Sequence, residues 1–549
     1  MRGPIFGVLI LVTVVVGVLA IRWPFLWVVE ALLGCLWALA IYDVRQRKHA
    51  ILRNFPLLGH FRYLFEMIRP EIQQYFVEGA TDGTPFNRER RSVVYQRAKG
   101  ELDTLPFGTQ WNVYADGYEW IAHSMMPKHP SEEMPRVVIG AETCKQPYSA
   151  SILNISAMSY GSLSTRAILA LNTGARLGGF AHNTGEGGVS PYHQKPGGDL
   201  VWQIGTGYFG CRNAQGGFDP ERFTQQASLP AIKMIEVKLS QGAKPGHGGI
   251  LPASKVSEEI SAIRGVPMGQ DVLSPPGHSA FHTPAELLHW IEDLRRMSGG
   301  KPVGFKLCVG RQEEFMSVCM AMRATGKHPD FITVDGGEGG TGAAPLEFSN
   351  SVGMPLNEGL VFVHNCLVGF GLRERIKLIA SGKILTGFDI ATKLALGADL
   401  CNSARAMMLS IGCIQARRCN SNDCPAGVAT QNPALVQGLD VEDKSKRTAG
   451  FHRETVESLM ELVGAAGLDS PDQITPHHIM RRVEGAKVQS YFQVYPFLER
   501  GALISDPVPA EYEDAWRRAA PSHFGTPPGS PEESLPRKTP SQGAILHRT

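Results

Sequence analysis

The chain has 549 residues, of which 43% are hydrophobic and 19% are charged, and its formal net charge is +2. This length exceeds one ordinary domain and suits a large barrel with extensions. The near-neutral balance argues against a nucleic-acid partner. Ten cysteines are too few for a secreted scaffold held together by disulfides.

Two apolar runs open the chain, IFGVLILVTVVVGVLAI at 5–21 and FLWVVEALLGCLWALAIY at 25–42. Each is close to the roughly 20 residues that a helix needs to cross a bilayer. A cleaved signal peptide is the alternative, but a second apolar run follows instead of a small-residue cleavage site. We therefore expect residues 1–43 to form a transmembrane hairpin.

Basic residues indicate the orientation of this hairpin. Arg45, Arg47, Lys48 and Arg53 follow the second run, whereas the loop between the runs carries only Arg22. The positive-inside rule then predicts an inner-membrane protein with two helices and a cytoplasmic catalytic domain. A reducing compartment favours metal or cluster chemistry over disulfides.

Residues 111–435 alternate short apolar runs with glycine-rich turns and amphipathic segments. This pattern predicts an α/β fold with a parallel sheet, and the number of repeats favours a closed (β/α)8 TIM-type barrel. The glycines fall after the strands, where barrels place their chemistry. The runs predicted as strands lie at 151–158, 231–239, 302–310, 330–337, 376–383 and 398–406.

Three further segments flank this barrel region. Residues 44–110 are mixed and basic, and we interpret them as a connecting region. Residues 436–504 are predicted to form C-terminal helices. Residues 505–549 are rich in proline, serine and charge, which is typical of a disordered tail.

Cys413, Cys419 and Cys424 lie together in GCIQARRCNSNDCPAG, residues 412–427. Three thiolates without a nearby fourth ligand leave a tetrahedral zinc site incomplete, whereas soft thiolates suit iron–sulfur binding. Buried packing residues, or a fourth ligand from another cysteine, remain open alternatives. The other seven cysteines are isolated and predicted to pack in the core: Cys35, Cys144, Cys211, Cys308, Cys319, Cys366 and Cys401.

Four glycine-rich loops occur at 183–188, 244–249, 335–345 and 381–389. Glycine lets backbone approach a ligand closely. One such loop is weak evidence, but four of them after strand-like runs indicate a large planar or phosphorylated ligand across the barrel mouth. The last two loops lie where barrels often hold a phosphate.

Several motifs in one order resemble the FMN-binding synthase domain of glutamate synthase, over roughly residues 110–435. They are SAMSYGSLS, NTGEGG, GAKPGHGGILPASKV, SPPGHSAF, GFKL, DGGEGGTGAAP, LTGFDIATKLALGAD and GCIQARRCNSNDCPAGVATQ. The chain is most similar in organisation to stand-alone members without a glutaminase domain. The resemblance implies FMN, and a [3Fe-4S] cluster on Cys413, Cys419 and Cys424. It also implies glutamate formation from 2-oxoglutarate and ammonia through 2-iminoglutarate.

The resemblance implies two sets of FMN contacts. Lys306 would stabilise negative charge on the reduced flavin, although a buried ion-pair lysine is the alternative. The glycines of the phosphate loops have turn geometry as their alternative explanation. The ring contacts would be Ala157, Met158, Ser159, Gln203 and Lys306, and the phosphate contacts Gly339, Gly340, Thr341, Gly387, Ser403, Ala404 and Arg405.

The substrate residues are also implied by the resemblance. Lys238 and Lys244 would lie near the 2-oxo acid as catalytic and substrate-binding residues, and Arg264 has a spacing compatible with a carboxylate ligand. Glu186 would relay a proton, provided that its surroundings raise its pKa. The alternatives are a solvated helix residue for Arg264 and a structural carboxylate for Glu186.

His247 and Ile250 depart from the family motif KPGEGGQLPG, which has an acidic residue and a glutamine at these positions. Ile250 cannot hydrogen-bond a carboxylate, so strict specificity for 2-oxoglutarate is in doubt. His247 is interpreted as a loop histidine rather than as an acid–base group.

These observations predict an oxidoreductase of glutamate synthase type, acting on CH–NH2 donors. The region before the barrel is too short for a glutaminase, so ammonia would be free or supplied by a separate glutaminase. No dinucleotide-binding glycine fingerprint follows a strand, so a ferredoxin-like carrier would supply electrons. The alternatives are an N-alkylglutamate synthase-like enzyme acting on another amine or 2-oxo acid, and a non-catalytic electron-transfer protein.

Overall fold

A computed structural model describes residues 2–129 and 131–525 of the chain. The chain divides into two units, Met1–Glu89 and Arg90–Thr549. The first unit contains the apolar helices, and the second contains the barrel.

Two long apolar helices, Arg2–Arg22 and Trp27–Arg45, dominate the first unit. Their apolar spans measure 20 and 22 residues, with mean hydropathy 2.9 and 2.0, so both are long and apolar enough to cross a membrane. Trp37 Nε1 donates a hydrogen bond to Thr13 Oγ1 at 3.0 Å, which ties the two helices side by side. The predicted pair of N-terminal apolar helices is therefore present. Helices Ala50–Asn54 and Gly59–Ile72 follow in the same unit.

Eight parallel strands close into a barrel in chain order, with the eighth strand pairing with the first. The predicted TIM-type barrel is thus confirmed. The strands are β1 Leu153–Ile155, β2 His182–Asn183, β3 Leu200–Ile204, β4 Ile232–Lys238, β5 Val303–Leu307, β6 Phe331–Asp335, β7 Lys377–Ser381 and β8 Leu400–Ser403.

Six of the eight strands fall inside the predicted apolar runs, and the sequence missed β2 and β3. Strand β2 has only two residues, too few to show any periodicity. Strand β3 is buried along its whole length, and a strand buried on both faces lacks the alternation that marks a half-exposed one.

Helices follow the strands and cover the barrel. One amphipathic segment between the predicted strands forms helix Pro284–Met297, whose N-cap Thr283 accepts from the Glu286 amide at 3.1 Å. The other helices of the second unit within the barrel are Thr165–Gly178, Pro191–Gln194, Pro220–Ala227, Glu258–Arg264, Gln312–Thr325, Leu346–Ser351, Leu356–Gly369, Gly387–Ala395 and Arg405–Ser410.

The connection between β4 and β5 is unusually long. It contains a small antiparallel pair of strands, Ile250–Leu251 and Val272–Leu273. Helix Glu258–Arg264 lies between these two strands along the chain. Because this connection leaves the carboxyl end of β4, it carries Lys244 and Arg264 to the barrel mouth.

The C-terminal segment is more varied than its predicted helices. Helix Val441–Ala465 is confirmed, but Ile479–Glu484 and Lys487–Ser490 are strands that form a sheet with Glu119–Ile121. The remaining helices of the second unit are Arg88–Lys99 at its start, then Pro433–Val436, Tyr491–Val494 and Ala510–Arg518.

The predicted disorder from residue 505 is wrong over the first part of the tail. Helix Ala510–Arg518 buries Tyr512 and Ala515, a short amphipathic pattern that the proline- and charge-rich composition of the whole tail concealed. Residues 526–549 lie outside the described part of the chain.

Gly387 begins the helix after β7 and packs against helix Val441–Ala465. A Cβ atom at Gly387 would lie 2.5 Å from the backbone nitrogen of Leu459. This close approach explains the glycine by packing, independently of any phosphate contact.

Replacing Gly387 with alanine is therefore expected to destabilise the barrel by about 1–3 kcal/mol, because the added methyl group overpacks a helix contact. Thermal and denaturant unfolding of the flavin-free full chain would measure this. Gly310→Ala is the matched control, since nothing lies within 4 Å of a Cβ there. Equal unfolding midpoints for the two variants would contradict the packing explanation.

Candidate active site at the carboxyl ends of the barrel strands

A buried carboxylate, Glu236 on β4, lies inside the barrel. It accepts hydrogen bonds from Asn183 Nδ2 at 2.8 Å, Gln203 Nε2 at 2.7 Å and Thr333 Oγ1 at 2.6 Å. Strand β6, which carries Thr333, is not adjacent to β4, so this bond crosses the barrel interior. The three donors satisfy a carboxylate that would otherwise be costly to bury.

Lys306 on β5 pairs with Asp335, the last residue of β6, at 3.2 Å, and both side chains are buried. Burial lowers the pKa of Lys306, but the carboxylates of Asp335 and Glu236 outweigh it and raise the pKa above its ordinary value. Lys306 therefore keeps its positive charge inside the barrel. The ion-pair alternative for this lysine describes its contacts correctly, and a charged lysine is also what the predicted FMN role requires.

Glu186, in the loop after β2, is surrounded by cations. Lys238 Nζ donates to Glu186 Oε2 at 2.9 Å. Burial raises the pKa of Glu186, but the charges of Lys238, Lys244 and Arg264 outweigh it and bring the pKa below its ordinary value. The predicted role of Glu186 as a proton relay requires a raised pKa. This requirement is not met, because the lowered pKa leaves the carboxylate ionised at neutral pH.

Lys244 is a buried lysine of this site whose pKa lies close to neutrality. Its side chain is buried, and burial together with the charge of Lys238 lowers its pKa to about 8, against the opposing effect of Glu186. A lysine of this pKa is mainly protonated at neutral pH and exchanges its proton readily, which suits general acid–base chemistry.

Arg264 is a buried cation at the end of helix Glu258–Arg264, with an exposed fraction of 5%. Its Nη2 donates to the Tyr160 carbonyl at 3.0 Å, and its guanidinium lies 5.2 Å from the centre of the Phe209 ring. Burial lowers its pKa to about 10. Its Nε has no hydrogen-bond partner among the described residues. A solvated helix residue is thus the wrong description of Arg264.

Glycines make room for the charged group formed by Glu186, Lys238, Lys244 and Arg264. A Cβ atom at Gly249 would lie 2.6 Å from Glu186 Oε1, and one at Gly205 would lie 2.8 Å from Glu186 Cβ. A Cβ atom at Gly187 would lie 2.8 Å from Arg264 Nη2. Gly187 of NTGEGG, Gly249 of KPGHGG and Gly205 are therefore required by the close approach of Glu186 and Arg264.

His278 supports the end of β4 and was not assigned a role from the sequence. Its Nε2 donates to the Lys238 carbonyl at 2.9 Å, and its Nδ1 lies 3.2 Å from the Tyr208 hydroxyl. Burial lowers the pKa of His278 to about 4, so the ring is neutral and fixes the backbone at Lys238. The motif SPPGHSAF pointed to this loop, but no spacing linked it to β4.

Two predicted FMN loops run against each other. A Cβ atom at Gly185, whose φ is +64°, would lie 2.6 Å from the Ser159 nitrogen, so the loop after β2 contacts the loop after β1. Ala157, Met158 and Ser159 lie in the latter, directly after β1, and only Met158 is fully buried.

The residues predicted for the phosphate come from the loops after β6, β7 and β8. A Cβ atom at Gly340 would lie 2.8 Å from Arg405 Cδ, and Arg405 Nη2 donates to the Glu338 carbonyl at 2.9 Å. Ser403 Oγ donates to the Ile384 carbonyl at 2.6 Å. Arg405 thus joins these loops. Gly339 lies beside Gly340, Ala404 caps helix Arg405–Ser410, and Thr341 is exposed.

The thiols of the cysteine loop influence one another electrostatically. Burial raises the pKa of Cys413 to about 12, and the charges of Cys419 and Cys424 contribute to that rise. The Gln415 amide donates to Cys413 Sγ at 3.5 Å. However, no three His, Cys, Asp or Glu side chains in the described ranges are arranged to hold a metal ion. The cluster assignment therefore stays a prediction.

Lys255 is a buried lysine between the cysteine loop and the loop after β1. Its Nζ donates to the carbonyls of Cys419 at 2.7 Å, Ala429 at 2.8 Å and Ser162 at 3.1 Å. Burial lowers its pKa, and the charges of Cys419 and Cys424 oppose that change. The sequence placed Lys255 in the motif GAKPGHGGILPASKV but could not indicate these long-range contacts.

The isolated cysteines are buried at five positions, as predicted, but Cys144 is half-buried and Cys35 is exposed. The core prediction is wrong for Cys35, because this cysteine lies on the outer surface of an apolar helix. The buried members are Cys211, Cys308, Cys319, Cys366 and Cys401.

The two departures from the family motif lie beside the charged group. His247 Nδ1 donates to the Gly248 carbonyl at 2.9 Å, and its ring meets Phe348 edge-on at 5.2 Å. These contacts agree with a loop histidine. Ile250 pairs with Leu273 and follows Gly249, which touches Glu186.

Fold and site together define a (β/α)8-barrel protein whose strand ends carry a buried, cation-rich site. A family model for the conserved region in glutamate synthase matches residues 122–469. The chain belongs to the glutamate synthase family. It carries an oxidoreductase domain of that family, and the matched region includes helix Val441–Ala465 as well as the barrel.

Two relatives illustrate the similarity. The glutamate synthase large subunit-like protein YerD of Bacillus subtilis is 40% identical over 489 residues, which cover 82% of this chain and 93% of that protein. The archaeal glutamate synthase [NADPH] of Methanocaldococcus jannaschii is 35% identical over 321 residues, covering 58% of this chain and 60% of that protein. Among solved structures, a mutant flavocytochrome b2 with pyruvate bound covers 82% of this chain and 94% of its own, with 13% identity and a TM-score of 0.40.

Replacing Glu186 with glutamine is expected to lower the pKa of Lys244 below about 8, because Glu186 is the charge that opposes burial and Lys238. Competitive labelling with acetic anhydride, followed against pH by mass spectrometry, would measure the midpoint. Lys301 is the control: burial lowers its pKa too, but its Nζ contacts the Ala227 carbonyl instead. An unchanged Lys244 midpoint would contradict the charge coupling.

Proposed function

We propose that this chain is an oxidoreductase that forms L-glutamate from 2-oxoglutarate and ammonia, using FMN and a [3Fe-4S] cluster. One observation carries the proposal: Lys238, Lys244 and Arg264 surround Glu186 in a barrel of the glutamate synthase family. Three cations against one carboxylate leave an excess of positive charge, which suits a dicarboxylate substrate.

The residues at the barrel mouth fit FMN. Lys306 holds a positive charge in a buried position. The Gln203 amide is also predicted to contact the flavin ring, and it is held by its hydrogen bond to Glu236. Gly340 packs closely on Arg405, which brings loop backbone and a guanidinium together at the position predicted for the phosphate. FMN, when bound, would supply hydride transfer to the substrate.

The cysteine loop fits an iron–sulfur cluster in its chemistry. Three neighbouring thiols, a backbone amide directed at Cys413 Sγ and a buried ammonium at Lys255 form an environment that suits an anionic sulfur cluster. The cluster would carry electrons between a ferredoxin-like protein and the barrel.

The side chains around Glu186 would divide the work of imine formation. Arg264, with its unpartnered Nε, would bind a substrate carboxylate. Ammonia would add to the 2-oxo carbon, and a proton would pass from nitrogen to oxygen to give a carbinolamine. Lys244 would donate a proton to the hydroxyl that leaves as water, and the nitrogen would return a proton to Lys244, giving 2-iminoglutarate. Glu186 would stay ionised and hold Lys238 in place, so that the site does not lose its arrangement of charge.

The surroundings of the enzyme are part of the proposal. The two N-terminal helices would anchor the chain in the cell inner membrane as a hairpin, with the barrel in the cytoplasm. Ammonia or another amine would arrive from solution or from a separate glutaminase.

A second candidate is a related enzyme that acts on another amine or 2-oxo acid, as an N-alkylglutamate synthase does. Ile250 favours it, since this apolar side chain follows Gly249 at the edge of the charged group. A non-catalytic electron-transfer role would leave the buried cations around Glu186 unused.

Replacing Cys419 with serine should abolish the cluster while most of the flavin stays bound, because the thiolates hold the iron. Iron and sulfide analysis with electron paramagnetic resonance, after anaerobic reconstitution, would measure this against flavin absorbance. Cys401→Ser is the control, since Cys401 is buried in β8 away from the loop. A cluster of normal content in the Cys419 variant would rule out the assignment.

Replacing Arg264 with glutamine should raise the KM for 2-oxoglutarate by about 10- to 100-fold, the cost of losing one charged hydrogen bond, with little change for 2-oxobutyrate. Anaerobic reoxidation of the reduced enzyme, with ammonia or methylamine as the amine, would measure it. Arg212→Gln is the matched control, because Arg212 also lies over the Phe209 ring, at 5.7 Å. Faster turnover with methylamine would support the second candidate, and no turnover with any 2-oxo acid would sink both.

A further inference from the structure

Helix Gly59–Ile72 presents an uncovered apolar face. Phe61, Leu64, Phe65 and Ile72 are exposed, with Phe61 at 55%, Leu64 at 43% and Phe65 at 59%. Together with half-buried Ile68, their spacing of three and four residues puts them on one side of the helix. A π-helical turn at Gln73–Val77 continues this surface.

The turn after the helix exposes three further apolar or aromatic side chains. Tyr75, Phe76 and Val77 are 57%, 84% and 61% exposed. Soluble proteins rarely leave a continuous apolar surface of this kind uncovered, and such surfaces mark contact with a membrane or a partner.

The other side of the helix is polar. Arg62 and Glu66 form an ion pair at 2.7 Å one helical turn apart, and both are more than half exposed. The helix is therefore amphipathic, with charge on one side and large apolar side chains on the other, which is the pattern of helices that lie in a bilayer interface.

Direct contacts tie the start of this helix to the end of the second apolar helix. Asp43, fully buried in the last turn of Trp27–Arg45, accepts from the Leu57 amide at 2.9 Å and pairs with His60 Nε2 at 2.9 Å. Leu57 also packs against the buried cluster of Leu9, Leu33 and Ala40 between the two apolar helices. The amphipathic helix thus begins where a membrane-spanning helix would leave the bilayer.

The charge of this region matches an anionic lipid surface. Between residues 45 and 69 the basic side chains are Arg45, Arg47, Lys48, Arg53, Arg62 and Arg69, and the only acidic one is Glu66. Such a basic segment beside a membrane span is attracted to anionic headgroups.

We propose that helix Gly59–Ile72 lies in the interface of an anionic phospholipid bilayer, with Phe61, Leu64 and Phe65 directed into the lipid and Tyr75–Val77 extending the contact. The inference rests on the proposed membrane anchoring. It adds that the segment between the anchor and the barrel is itself a lipid-binding element and not a free linker. Continuity with the apolar helices and the basic charge favour lipid over a protein occupant.

Photocrosslinking of the full chain tests this in vesicles of phosphatidylcholine mixed with phosphatidylglycerol. Benzoylphenylalanine replaces Phe65 on the apolar face, Glu66 on the polar face, or Val15, which is exposed on the first apolar helix. Mass spectrometry then identifies the adduct. We expect lipid adducts at positions 15 and 65, with a several-fold lower yield at 66.

Each other outcome overturns the inference in a distinct way. Lipid adducts at 15 but none at 65 would leave the anchoring intact and remove the interfacial helix. A protein adduct at 65 would assign the face to a protein partner. Absence of lipid adducts at 15 would remove the anchoring itself. Equal yields at 65 in vesicles of phosphatidylcholine alone would remove the requirement for anionic lipid.

Discussion

The buried carboxylate of Glu236 is the interaction on which the barrel site depends. It binds side chains from β2, β3 and β6, so four strands share one acceptor inside the barrel. Its charge also helps to keep Lys306 protonated. A carboxylate so enclosed is stable only when its donors are all present, and those donors fix the positions of Gln203 and Lys306. The arrangement expected for FMN is thus held by the polar interior and not by the loops alone.

The charged group around Glu186 depends on the same strand, β4, that carries Glu236. Glu236 and Lys238 are two residues apart on β4 and therefore face the same side of the strand. Lys238 then reaches Glu186, while His278 holds the backbone behind it. The effect is to lower the pKa of Glu186 and to leave Lys244 with a pKa of about 8. In the proposed reaction these changes favour Lys244 over Glu186 as the proton donor.

The sequence predicted the barrel and its charged mouth because glycine-rich loops and apolar runs are local signals. It also singled out Lys238, Lys244, Arg264 and Glu186, which the structure brings together. It did not identify Glu236 or Lys255, because their partners lie far away along the chain. It did not indicate the packing at Gly387, since the close approach there comes from the Leu459 backbone on a later helix. The cations around Glu186 reverse the expected direction of its pKa for the same reason, because residues far apart in the chain bring them together.

Lys255 connects the two halves of the proposed chemistry. Its ammonium binds carbonyls of the cysteine loop and of the loop after β1, which also carries Ser159. Among the described residues Lys255 has carbonyl partners but no salt bridge, and carbonyl oxygens only partly offset the cost of burying a cation. In the proposed function, an anionic cluster beside it would offset the rest and would make Lys255 favourable there. Lys255 would thus give a physical reason for a cluster on this loop, one that the spacing of the cysteines alone does not provide.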